Sequence, residues 1–456
     1  MPVFFALTGQ DIGPFLPWVG VIIAGFAIWG SLKACRRRRL IDDLPTSKTH
    51  GVFIGLVEIK GSVRCAEPLT SYLAEAPCVH YAYDIEERWS KTVTTTESDG
   101  KGGTRTVTRR ESGWTSVASD EQMTPFYLED DTGLLLVRPQ GARIEALSVF
   151  SQSCSVFDPL YYGKGPAGGI MHSDGVRRFS ERAIPLEVPL FVVGQARERQ
   201  DIVAPEIAAD VNASDFLVSV RSEEEISNGL GWQIALFFLL GLVAMPGGHW
   251  ASYLAVGQEV DPLGIVMFLG EAILFTLVWT AGWVVTVYNS LVELRQRVEQ
   301  GWGQVEIQLK RRHDLIPNLV DCVKGIREYE ASTQAALAEM RSQLNVTAPG
   351  QPGADAHSLS VQVSMLREAY PELKVNENFL ALQTSLSDTE QRIALARAYF
   401  NDIATFWNTR LEVVPDRYIA SLGAMRPREL MEANDFERAP VQVSFAEKQV
   451  PVMPPA

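Results

Sequence analysis

Cysteine and histidine are scarce in this chain, and they are never clustered. Its five cysteines, Cys35, Cys65, Cys78, Cys154 and Cys322, form no C-x-x-C pair. That spacing excludes a disulfide framework, a zinc ribbon and a RING finger, all of which need thiols or ligands in close pairs. The six histidines are scattered too, with no H-E-x-x-H. Net positive charge is also missing: 41 Lys plus Arg face 55 Asp plus Glu, a formal charge of −14. A nucleic-acid binder needs a concentrated basic face, so no nucleic-acid partner is expected. No catalytic constellation and no cofactor or metal motif stands out, and the chain reads as a non-enzyme.

What is present is a set of long apolar runs. Residues 12–32 carry no charge, and about 20 apolar residues span a bilayer. Nothing basic precedes this run, while Arg36, Arg37, Arg38 and Arg39 follow it. That order suits a retained anchor and not a cleaved signal peptide. A second run covers residues 232–245, closed by Pro246-Gly247-Gly248, and a third covers 263–287. The intervening loop, 247–262, has Glu259 and Asp261 as its only charged residues, whereas Arg295, Arg297 and Lys310-Arg311-Arg312 follow the third run. The positive-inside rule then predicts an inner-membrane protein of three spans, with the N-terminus outside and residues 40–228 and the C-terminal half in the cytoplasm. Glu271 is the lone carboxylate within a span. It reads either as an ion site of a transporter or as a snorkelling or subunit-pairing residue, with no basic or polar partner evident nearby.

Residues 40–228 read as strands. Residues 55–63 and 78–85 alternate or are rich in aromatic and β-branched side chains, and 91–113 (KTVTTTESDGKGGTRTVTRRESG) suit a long hairpin with a mobile tip. Residues 125–128 lead through the turn Asp130-Asp131-Thr132-Gly133 to a strand over 134–137, and 185–196 give another. Short strands with turn signals predict a small β-barrel or sandwich. Cys65, Cys78 and His80 lack a fourth ligand and are better read as core than as a metal site. The G-x-V-E-x-x-G of residues 55–61, Pro68-Leu69, Pro77-Cys78-Val79 and the block from Pro125 through Val137 to Ala142 resemble the GIDE domain. That β-rich domain occurs in a membrane E3 ubiquitin ligase and in bacterial membrane proteins. The ligase relatives add a RING finger, which this sequence cannot build, so ubiquitin transfer is not implied.

From residue 288 the period changes. Leu294, Val298, Trp302, Val305, Leu309 and Ile316 mark one face of a nearly straight amphipathic helix. No turn signal separates it from the third apolar run, so a helix over 263–316 would reach ~80 Å at 1.5 Å per residue. Pro317 should kink it. Helices are predicted beyond, over 319–344, 358–368 and 376–411, with a Pro/Gly linker at 346–357 and stops at Pro371 and Pro415. Leu291-Val-x-Leu-Arg-x-Arg-Val298, the block Gln308-Leu-Lys-Arg-Arg-x-Asp-Leu-Ile-Pro-Asn-Leu-Val320 and Tyr370-Pro-Glu-Leu-Lys resemble the LemA family. So do Thr389-Glu390-x-Arg-Ile393 and Asn408-Thr409. Trp407 and Val413-Val414 depart from it in apolar or aromatic swaps. The resemblance implies an antiparallel bundle of long helices that projects from the membrane, with no catalytic activity attached, and one branch of the family takes part in building magnetosome membranes.

The expectation is a membrane-anchored α+β protein: a transmembrane anchor at 1–39, a cytoplasmic GIDE-like β-domain at 40–228, a transmembrane hairpin at 229–287, a cytoplasmic LemA bundle at 288–445 and a disordered tail at 446–456. Arg36, Arg37, Arg38, Arg39, Arg295 and Arg297 lie close enough to the bilayer to meet anionic lipid headgroups. Lys310, Arg311, Arg312, Asp314, Asn318, Glu390 and Arg392 form the densest polar group and read as a structural network or subunit contact around Pro317, with Lys310 and Asp314 spaced to pair. The architecture favours a scaffold that self-associates on the bilayer. An adaptor that recruits a cytoplasmic protein through the β-domain is the alternative.

Overall fold

In the computed structural model, residues 13–98, 104–199, 204–210, 215–324 and 377–431 are described. They fall into two compact units: Thr46–Ser222, and the described parts of Met1–Pro45 together with Glu223–Ser444.

The first unit is almost entirely β. Its strands are β1 (Thr46–Ser47), β2 (Gly55–Arg64), β3 (Leu69–Thr70), β4 (Pro77–Ser98), β5 (Thr104–Met123), β6 (Phe126–Glu129), β7 (Leu134–Val137), β8 (Arg143–Glu145), β9 (Leu147–Ser155), β10 (Ser173–Pro185), β11 (Pro189–Glu198), β12 (Pro205–Ala208) and β13 (Leu217–Ser219). One sheet runs β2–β6–β7–β12–β11 and closes on itself, because β11 also pairs with β2 from Pro189↔Ser62 to Ala196↔Gly55. Closure leaves that ring without a free edge. Its inward residues, Val57, Ile59, Val63, Leu128, Val137 and Val192, are fully or almost fully buried. The β6–β7 turn is set by Asp130, whose carboxylate accepts from the backbone N–H of Thr49, Thr132 and Gly133.

The second sheet has the order β3–β4–β10–β9, with β5 on β4. Pairing of β4 with β10 ends at Trp89↔Ser173, whereas pairing with β5 continues to Ser98↔Thr104. A two-stranded ribbon therefore extends past the sheet for about 30 Å at ~3.3 Å per residue. The expected hairpin is present, and its tip lies outside the described residues. Cys78 and His80 sit buried on β4, with His80 Nε2 2.9 Å from Glu121.

Two buried charges fix loops onto this sheet. Glu181 accepts from the backbone N–H groups of Tyr72, Leu73 and Ala74. Arg177 and Glu87 pair at 2.9 Å with both side chains fully buried. Arg177 also donates to the carbonyls of Tyr161, Pro166 and Gly168. Tyr161 donates to Glu87 at 3.0 Å, and Ser173 donates to the same carboxylate. Every polar atom of the pair thus has partners, which a buried ion pair requires.

Among the described residues the second unit contains α1 (Leu16–Asp42), α2 (Glu223–Val256), α3 (Pro262–Lys324), α4 (Glu377–Glu412) and α5 (Asp416–Leu422). Three of its helices, within Gly13–Asp42, Glu223–Val256 and Pro262–Leu319, are long and apolar enough to cross a membrane. One proline expectation needs correction. The second apolar run does not stop at Pro246: α2 continues through it to Val256, and the expected loop shrinks to residues 257–261. The cause is packing. Gly248 lies against α1, where a Cβ would stand 2.7 Å from the Leu16 carbonyl and 3.0 Å from Gly20 Cα. Small residues of this kind let two helix backbones approach closely. At Pro317, helix is present on both sides, as expected, and α3 runs on to Lys324. The helices expected at 325–344 and 358–368 lie outside the described residues.

The carboxyls of Glu87, Asp130 and Glu206 are each held below the usual carboxylate range, although burial alone would raise them. Hydrogen bonds from Ser173, Arg177 and Tyr161 do this for Glu87. A depressed folded-state pKa contributes stability that is present above the unfolded value, near 4.5, and is lost as pH falls through the folded one. Glu87→Gln should therefore unfold more readily than wild type at pH 7. The gap should narrow on acidification below about pH 4.5. Tryptophan-fluorescence unfolding across that range checks this, and a gap that stays constant with pH would contradict it.

Candidate functional site: a buried ion network and an asparagine ladder

The run Arg36 to Arg39 lies on the last turns of α1, so successive side chains point in different directions. Arg39 turns inward. Its Nε donates to Ser290 Oγ of α3 at 2.6 Å, and its Nη1 and Nη2 reach the two carboxylate oxygens of Asp416 at 3.3 and 2.5 Å. The side chains of Arg39 and Asp416 are only 10% and 3% exposed. Arg410, near the end of α4, donates to Asp43 at 2.7 Å and stands 3.7 Å from Asp416. Burial opposes charge on Arg410, but Asp43 and Asp416 outweigh it and hold the guanidinium above its usual range. Two cations and two carboxylates thus join α1, α3, α4 and α5 at one point. Asp416 opens α5, where a carboxylate also meets the positive end of the helix dipole.

The other expected lipid-facing arginines occupy different places. Arg36 is exposed and pairs with Glu293 at 3.2 Å. Arg38 lies 3.5 Å from Asp42 and donates to Ser227 of α2. Arg37 and Arg297 are half-buried and Arg295 is exposed. Arg39 is the correction: its guanidinium is committed to protein partners and is not available to headgroups.

The polar residues around Pro317 have different surroundings. Lys310, Arg311, Asp314 and Asn318 are exposed, Arg312 is buried and Glu390 is half-buried. Asp314 stands 3.4 Å from His313, and Asn318 Nδ2 reaches the Asp314 carbonyl at 3.4 Å. A bridge between helices runs through Asp388 of α4, which takes Arg392 at 3.0 Å and Arg311 of α3 at 3.8 Å. Together with Trp302 against Phe400 at 5.6 Å, this pairing makes α3 and α4 antiparallel.

Glu271 does have a partner. His249, on the part of α2 beyond Pro246, places Nδ1 2.5 Å from Glu271 Oε1. The sequence reading put His249 in a loop and so missed it. Serine and tryptophan link all three of α1, α2 and α3: Trp279 Nε1 donates to Ser31 Oγ, which donates to the Ile234 carbonyl.

A second arrangement lies along α4. Asn401 donates through Nδ2 to the Met431 carbonyl at 3.0 Å and accepts the Met431 N–H at 2.8 Å. Asn408 does the same with Arg428, at 2.8 Å in both directions. Between them Trp407, almost fully buried, donates its indole N–H to the Arg426 carbonyl at 2.9 Å. These asparagines hold an extended segment, residues 426–431, by its backbone. Asn408 belongs to a quoted family motif, but nothing in the sequence disclosed the role of either asparagine. Among the described residues no group of three His, Cys, Asp or Glu is placed to hold a metal ion.

Among the described residues these features define three membrane-type helices, an antiparallel helix pair and a β unit that follows the first helix in the sequence. Residues 301–445 match the model of the LemA family, and residues 92–251 match the GIDE model, described as E3 ubiquitin ligase. The chain is similar over 161 residues to Protein LemA of Metamycoplasma hominis, at 24% identity, covering 34% of this chain and 74% of that protein. Both resemblances read from the sequence are therefore supported, with one shift: the GIDE match begins inside β4 and runs into α2, so the motifs at residues 55–79 lie before it.

The ion network makes a direct prediction. Breaking a buried pair by removing one partner costs about 3–5 kcal/mol, because it strands the other charge. Arg39→Ala and Asp416→Ala should each destabilise the helical unit by that order, and the double variant by less than their sum. Thermal unfolding of the full chain in detergent measures the cycle; strictly additive effects would show that the two groups do not interact.

Proposed function

We propose that this chain is a non-enzymatic inner-membrane scaffold that self-associates and organises or remodels the bilayer. The observation that carries this reading is α3, a single helix from Pro262 to Lys324 that is apolar in its first half and amphipathic in its second. Such a helix passes rigidly from bilayer to bundle, and the Arg39–Asp416 pair ties the end of that bundle back to α1. A rigid arm is what a scaffold needs to transmit position. The basic flanks of α1 and α3 support an orientation with the N-terminus outside and both soluble parts in the cytoplasm. Arg36, Arg37, Arg38, Arg295 and Arg297 then lie at the headgroup level of the inner leaflet.

The β4–β5 ribbon supports a second reading, a membrane-tethered adaptor. Among the described residues no further strand pairs with either of its edges beyond Ser90, and an open edge is a template for strand addition by a cytoplasmic protein.

Particle mass in a mild detergent or native nanodiscs tests the scaffold reading. A discrete multiple of the 50.4 kDa chain is expected. A monomer at cellular concentration would contradict the scaffold and leave the adaptor, for which pull-down with the ribbon intact and with residues 91–110 removed is the next step.

A further inference from the structure

We propose that the α4 face bearing Asn401, Trp407 and Asn408 is a seat that reads the backbone of an extended segment, and that copies of this chain join by placing residues 426–431 of one on the seat of another. The proposal rests on the self-association reading above and names its contact.

The geometry is that of a repeating match. Asn401 and Asn408 are two helical turns apart on one face, about 10.5 Å at 1.5 Å per residue. Their backbone partners, Met431 and Arg428, are separated by three extended residues, about 10 Å at ~3.3 Å each. Each asparagine amide supplies one donor and one acceptor to a single residue, so both backbone groups of that residue are satisfied. The side chains of residues 426–430 are exposed. Nothing in this mode depends on which copy delivers the segment, and the segment fits by construction because it is the chain's own.

The hinge favours release. Only residues 423–425 separate α5 from the first seated carbonyl, and Ala424 there takes φ +48, a left-handed conformation that alanine rarely adopts. A cavity of about 410 Å3 opens beneath the segment, against Trp302 and Phe400, and is walled by Pro427, Arg428 and Glu429. The segment is thus held by five hydrogen bonds to its backbone and one from the Arg428 side chain to Glu299 at 3.1 Å, with little apolar burial, on a short strained hinge. Short hinges under strain invite exchange of the element they carry between copies.

Complementation of two full-length variants in nanodiscs tests this. The first carries Asn401→Ala and Asn408→Ala, changes that suit a helix, with a photoreactive residue in place of Leu430. Its segment is intact and its seat is dead. The second carries Arg428→Pro and Met431→Pro, which remove the N–H donors of the segment and leave the seat. Illumination of the mixture should give a two-chain product mapped to α4 of the second variant. That product should fall about tenfold or more when the second variant also carries both asparagine changes. Absence of a two-chain product overturns the exchange. A wild-type particle that is still a multiple of one chain then leaves self-association standing through another surface, whereas a wild-type monomer removes both.

Discussion

A guanidinium taken out of water must meet a carboxylate in good geometry, or the fold that buries it does not persist. Arg39 is in that position. It ends an apolar helix, is largely enclosed, and finds Asp416 at a separation of 377 residues. The remaining arrangement of the helical unit follows from satisfying it. Ser290 must face α1, which fixes the rotation of α3 just beyond its apolar half. Asp416 must reach the same place, which brings α5 and the end of α4 to the end of α1. Arg410 and Asp43 then balance the charge. Residues far apart in the chain are thus locked at the border between apolar and polar helix surface.

Above that border the helices are held differently. Helices this apolar would gain nothing hydrophobic from meeting one another in an apolar setting, so close packing and a few polar links would have to suffice there. Gly20 against Gly248, Ser31 between Trp279 and Ile234, and His249 with Glu271 supply both kinds. These same links explain why α2 survives Pro246 and two glycines. The β unit applies the rule of paired burial again, with Glu87–Arg177 and Glu181 pinning loops to the open sheet that carries β4 and β10.

Most of the elements were legible because their signals are local. Alternation marked residues 55–63 and 78–85, turn chemistry marked Asp130 to Gly133, and the phase of Leu294, Val305 and Ile316 marked the helix that carries the bundle. The length and charge asymmetry of the apolar runs identified three membrane-type helices. The sites were much less legible. Arg39 looked like its three arginine neighbours, since helical phase near a helix end depends on what packs there. Asp416 and Arg410 bear no local sign of a partner in the N-terminal helix. His249 was hidden by Pro246-Gly247-Gly248, read as a break when tertiary packing carries the helix through it. Asn401 and Asn408 have a spacing that is visible only once an extended segment lies across them.

Hydrogen exchange of α5 in bilayer nanodiscs bears most directly on the account. A seven-residue helix is not stable alone in water, so its amides are protected only if Asp416 anchors it to α1. The account predicts slow exchange across residues 416–422 in the wild-type chain, collapsing to near-unprotected rates in Arg39→Ala while α3 remains protected. Fast exchange of α5 in the wild-type chain, or protection unchanged by the substitution, would contradict it.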